Sequence, residues 1–123
     1  MKEKIQLEYP INSSTKILFD QISTPSGLSN WFADNVNLKD DLFIFIWEGS
    51  EERARILSKR PEKYIRFQWE DDDEGYFEFR IDKDEITNET ILLVTDFLEE
   101  DEVDEAIDLW DSQVASLKRI LGL

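Results

Sequence analysis

The 123-residue chain contains no cysteine and no histidine. The first absence excludes disulfide frameworks and thiol nucleophiles; the second removes the usual zinc ligands and every triad that depends on imidazole. Apolar runs approaching the ~18 residues of a membrane helix are also missing, and Met1-Lys2-Glu3-Lys4 leads straight into alternating residues without the apolar stretch of a signal peptide. A cytoplasmic protein that does not insert into membranes is the expectation. Positive charge is scarce as well. There are 14 Lys and Arg against 29 Asp and Glu, a formal net charge of −15. Residues 1–69 carry ten of each sign, whereas residues 70–123 carry four basic and nineteen acidic side chains. Such a chain repels nucleic acid and anionic membrane surfaces, so neither is expected as a partner.

What is present is enough to fold. Leu, Ile, Val and Phe make up about 31% of the residues, above the roughly 20% below which a highly charged chain stays disordered. The length fits one domain, residues 1–123, and leaves no room for a second core. Ile5, Leu7 and Tyr9 alternate with charged or amide neighbours, which predicts a half-buried strand closed by Pro10. Side-chain oxygens in Asn12-Ser13-Ser14-Thr15 can cap a short helix carrying Ile17, Leu18, Phe19 and Ile22, ending by Ser23. Thr24-Pro25 then starts a second one, with Leu28, Trp31 and Phe32 at i, i+3, i+4.

From Val36 onward the pattern becomes strands and turns: 36–38, 42–47, 51–57, 64–69, 76–81 and 90–97. The short connections between them, rich in Asp, Gly, Asn and Pro, imply an antiparallel meander. Residues 99–102 enter a last, long helix in which Val103, Ile107, Trp110, Val114, Leu117 and Leu121 form one stripe. Its acids lie toward the N-terminus and Lys118-Arg119 toward the C-terminus, in keeping with the helix dipole. The economical packing is an α+β helix-grip arrangement. A curved antiparallel sheet of about seven strands wraps on the long C-terminal helix, with two short helices after the first strand. One helix does not fill a curved sheet evenly, so a cavity between them is expected.

The order of these elements, with particular words in the sequence, resembles the START-like helix-grip superfamily. Within it, the resemblance is to the branch related to activators of the ninety-kilodalton heat-shock chaperone ATPase. The words are Ile17-Leu18-Phe19-Asp20 followed by Pro25, Leu28 and Trp31-Phe32; Phe43, Phe45 and Trp47 before Gly49; Pro61 leading to Ile65, Phe67 and Trp69; and Thr90, Leu92, Val94, Trp110 and Leu117. The resemblance implies an apolar cavity roofed by the last helix. It implies no reaction, since one fold hosts many functions.

On this register Phe43, Phe45, Trp47, Ala54, Ile56, Ile65, Phe67, Trp69, Phe77, Phe79, Ile81, Leu92, Val94 and Asp96 face inward, while Leu42, Ile44, Ile46, Ile91 and Leu93 face outward. The outward five are either covered by a loop or the first helices, or form the contact of a homodimer. The inward aromatics are either plain core or the wall of a ligand pocket. Asp96 is either a wet residue at the strand's end or the polar contact of that pocket, with Tyr76, Ser112 or Gln113 as its neighbours. Arg53, Arg55, Arg66 and Arg80 read as cross-strand partners of Glu51, Glu78 and Glu70, and the acidic runs 70–74 and 99–111 as solvated charge.

The function expected is non-catalytic binding of an apolar small molecule, lipid-like or polyketide-like, between the C-terminal helix and the sheet. Its lining would be Trp31, Phe45, Trp47, Phe67, Trp69, Phe79, Val94, Asp96, Trp110 and Val114, with the Leu28–Phe32 region as the entrance. No cofactor, metal or catalytic residue is expected. A chaperone-regulating interaction domain with an acidic surface is the alternative. A cyclase-type enzyme is a weaker one, because a single carboxylate without His or Cys supports little acid–base chemistry.

Overall fold

The computed structural model describes residues 2–123. Strand β1 (Glu3–Pro10) is followed by helices α1 (Thr15–Ser23) and α2 (Pro25–Trp31). Six strands come next: β2 (Asn35–Lys39), β3 (Leu42–Trp47), β4 (Ser50–Arg60), β5 (Tyr64–Trp69), β6 (Phe77–Lys83) and β7 (Thr90–Leu98). A 3-10 turn at Glu100–Glu102 then leads into α3 (Val103–Ile120). The strands form one antiparallel sheet in the order β1-β7-β6-β5-β4-β3-β2, with β1 crossing to the far edge to pair with β7. This is the α+β helix-grip architecture that the sequence predicts.

Local chemistry explains the elements. Ser14 caps α1 by accepting from the Ile17 N–H at 3.1 Å. Thr24 joins the two short helices: its hydroxyl accepts from the Gly27 N–H at 2.9 Å and donates to the Asp20 carbonyl at 2.8 Å. Where β3 turns into β4, Glu48 and Gly49 both take positive φ (48° and 85°), the conformation that matches a two-residue hairpin to the twist of its strands. Strand β4 runs three residues past the expected Leu57. The register shifts between Ile56 and Ser58, leaving Leu57 as an unpaired bulge residue, half exposed. The strand expected from Tyr76 begins instead at Phe77.

One core cluster lies on the concave face, where Phe43, Phe45, Phe67, Phe77, Phe79, Leu92 and Val94 meet Leu18, Ile22 and Leu28 of α1 and α2 and Trp110, Val114 and Leu117 of α3. All three helices therefore contribute to the same side of the sheet, and the first two do not cover the outward Leu42, Ile44, Ile46, Ile91 and Leu93. Those five are half-buried, with Arg55 and Arg53 directly opposite Leu42 and Ile44. Further along the outer face, Glu78 is only 4% exposed and is held by Arg66 (2.9 Å) and Arg80 (3.2 Å). The guanidinium groups of these arginines lie over the rings of Tyr76 and Tyr64, 4.0 and 4.4 Å from the centroids. Arg53 pairs with Glu51 at 3.5 Å. Among the described residues, Arg55 and Glu70 make no ion pair.

A candidate ligand cleft beside the closing helix

Phe32 decides where there is space and where there is none. It caps the C-terminal end of α2, is 4% exposed, and sits among Phe45, Trp47, Phe77, Phe79 and Trp110 with ring centroids 5.2 to 5.7 Å away. Its carbonyl accepts two hydrogen bonds at 2.8 Å, from the Trp47 indole on β3 and from the Gln113 amide on α3. Sheet, short helix and long helix are thus fastened at one atom. Sequence pattern put Phe32 at an entrance; the structure uses it as a plug in the middle of the core. Phe45, Phe67, Phe79, Val94 and Val114 lie behind that plug, each at most 1% exposed.

In front of it lies a cleft of about 1260 Å³ between α2, α3 and the end of the sheet where β3 and β7 finish and β4 begins. Trp31, Phe32, Trp47, Trp69 and Trp110 form its aromatic walls. All four tryptophans of the chain are therefore here, and three of their N–H groups are spent on holding the walls. Trp47 donates to Phe32, Trp31 to the Gln21 carbonyl at 2.8 Å, and Trp110 to the Asp96 carboxylate at 3.1 Å. Trp69 gives its N–H to no acceptor among the described residues. Of the ten residues expected to line a site, the structure brings Trp31, Trp47, Trp69, Asp96 and Trp110 together on the cleft and seals the other five in the core.

Asp96 belongs to β7, opposite Ile5 of β1, and so faces inward on a strand that continues to Leu98. Its hydrogen bonds come from the Trp110 indole and the Phe97 N–H, not from Tyr76, Ser112 or Gln113. Tyr76 instead packs its ring edge-on to Phe97 on the outer face, and Gln113 is engaged by Phe32. Burial raises the Asp96 carboxyl above the usual aspartate range, opposed by the N–H donors of Trp110 and Phe97. Beside it, Lys2 forms an ion pair with Asp72. That hydrogen bond lifts the ammonium above its ordinary value and lowers the carboxyl. Both groups also border a side chamber of about 200 Å³ with Trp69, Asp96 and Glu102.

Sequence reading missed several contributors. Glu52 lies two residues before the inward Ala54 and opposite Phe45, so the same alternation that places Asp96 places Glu52 on the concave side. Asp34 lines the cleft while accepting from the Glu48 N–H at 2.7 Å. Ala106 and Leu109 bring the flank of α3 that lies off the buried stripe, and Leu109 is 59% exposed. Among the described residues, no group of three His, Cys, Asp or Glu side chains is arranged to hold a metal ion. Among the same residues, no helix is long and apolar enough to cross a membrane.

Over residues 1–123 the sequence matches the START-like superfamily domain. A Bacteroides fragilis protein solved in solution is 44% identical, with 99% of this chain and 93% of that one covered and a TM-score of 0.68. The Aha1 dimer from Colwellia psychrerythraea superimposes with a TM-score of 0.77 at 17% identity, over 94% of this chain and 93% of that one. DynU16, a protein of the dynemicin biosynthetic locus, gives 0.79 at 13% identity over 97% of this chain, which spans 47% of DynU16. At those identities the last two show the fold alone. No curated protein matches the chain.

Proposed function

Because the chain belongs to the START-like superfamily, we propose that it binds an apolar small molecule without transforming it, in the cleft between α3, α2 and the end of the sheet. The observation that carries this reading is the gathering of all four tryptophans on one cavity of about 1260 Å³. That is room for a drug-sized or larger molecule, and aromatic walls are the usual source of apolar contact in such sites. Burial of ligand apolar surface, about 25 cal/mol per Å², would drive binding. Trp31, Trp47, Trp69 and Trp110 would supply the contact area and Asp96 an orienting acceptor. Phe45, Phe67, Phe79, Val94 and Val114 would support those walls from behind. The chemistry at hand favours binding over catalysis: the oxygens of Asp96 already accept two N–H groups, and the neighbouring Lys2 and Asp72 are engaged with each other.

Native mass spectrometry of the purified protein, beside the same sample denatured, tests the reading. The expected result is a mass a few hundred daltons above a whole number of chains, lost on denaturation. The same spectrum reads the assembly. A homodimer through the outer sheet face is proposed on two half-buried apolar stretches, Leu42, Ile44 and Ile46 on β3 and Ile91 and Leu93 on β7. The Aha1 protein of the same fold is described as a dimer. A single-chain mass by light scattering at high micromolar concentration refutes that assembly.

A further inference from the structure

We infer that the occupant of the cleft is a cation: a protonated amine or quaternary ammonium carried on an apolar, ring-containing frame. The inference rests on the binding reading above and adds the sign of the ligand's charge. Seven ionisable side chains line the cavity. Six are acids, Asp34, Glu52, Asp71, Asp72, Asp96 and Glu102, and the single base, Lys2, is consumed by its ion pair with Asp72. A fatty carboxylate or a phosphate headgroup would enter a field of its own sign and meet no unpaired base among the described residues.

Three further observations favour a positive ligand over a neutral one. Four indoles border the cavity, and of the aromatic side chains indole has the quadrupole that attracts cations most strongly. Asp96 bears a desolvated carboxylate at the inner end whose hydrogen bonds come only from neutral N–H groups, so a cation there would relieve the cost of its burial. Glu52 and Asp71 accept no hydrogen bond and join no ion pair among the described residues. Their charge is therefore available to an incoming ligand. The Coulomb attraction adds to apolar burial for a cation and subtracts from it for an anion.

Three probes on one frame separate the alternatives: 2-(1-naphthyl)ethylamine, 2-(1-naphthyl)ethanol and 1-naphthaleneacetate, titrated with tryptophan fluorescence and ligand-detected NMR. The amine should bind at least about tenfold more tightly than the carboxylate, with the alcohol between them. Glu52→Gln combined with Asp71→Asn should bring the amine's affinity down toward that of the alcohol. Asp41→Asn combined with Glu85→Gln removes the same two charges from exposed positions outside the cleft and should leave the order unchanged. Equal or tighter binding of the alcohol or the carboxylate overturns the cation and leaves the apolar-ligand reading standing. An equal loss in the remote double variant also overturns it, by assigning the preference to the charge of the whole molecule. If none of the three binds and the native mass shows no excess, both readings fall.

Discussion

Phe32 and Asp96 divide the interior between filled and open. Truncating Phe32 to Ala would remove a ring packed on six others and open a void behind the cleft. The expected loss of unfolding free energy is about 3–5 kcal/mol, measured by urea denaturation with Leu109→Ala, on the exposed flank of α3, as the near-neutral comparison. For Asp96 the sign of the pH effect follows from its raised carboxyl. The folded state holds that proton more tightly than the unfolded chain does. Its contribution is thus fully present below the ordinary aspartate value and is lost as pH rises through the raised folded value. Asp96→Asn should therefore flatten the stability–pH curve on the acid side of neutrality, and an unchanged slope between pH 4 and 7 would contradict it. Alternation along β7 is enough to read that Asp96 faces inward. Its Trp110 partner was not legible, because which turn of α3 meets the strand depends on how the helix is seated. Glu52 was open to the same parity argument, whereas the depth of Phe32 depends on three elements closing around a seven-residue helix.

At the level of elements, the join between α1 and α2 is the most sensitive to small changes. Thr24→Ala deletes one cap and one tie to the preceding helix, and a loss of about 1 kcal/mol is expected from thermal denaturation. Gly27 is there because the helices touch. A Cβ at that position would meet the Asp20 carbonyl oxygen and lie 2.7 Å from the Gln21 Cα, both backbone atoms that cannot rotate away. Gly27→Ala should cost about 1–3 kcal/mol even though alanine is the better helix former; a stabilised variant would show that the helices are not packed this way. Caps, proline starts and the stripe of α3 were readable because each is a local signal. The bulge at Leu57 was not: the adjacent apolar pair Ile56-Leu57 interrupts the alternation without saying where the register slips, which is set by pairing with β5. The outer face divided in the same way. The Arg66–Glu78–Arg80 cluster follows from strand parity, while the tyrosine rings beneath the arginines needed the register between β5 and β6.

The whole molecule carries −15, all of it in residues 70–123. Like charges held close oppose the compact state, and mobile ions relieve that opposition. The melting temperature should therefore rise as sodium chloride is taken from a few millimolar to physiological strength; a fall would mean that the ion pairs on the outer face outweigh the repulsion. Composition alone carries that expectation, as it carries the single-domain reading, because neither depends on where any side chain points. The pairing of β1 with β7 is a different kind of whole-chain property. Glu3 lies opposite Leu98, so the first strand of the sheet has no neighbour until β7 has been made. At roughly 5–20 residues added per second, β1 is exposed for on the order of five to twenty seconds during synthesis, a lone strand awaiting its other half. Lys2, Glu3, Lys4 and Glu8 in and beside it, and the proline that ends it, are the kind of residues that keep a solitary strand from pairing with its like on a neighbouring ribosome.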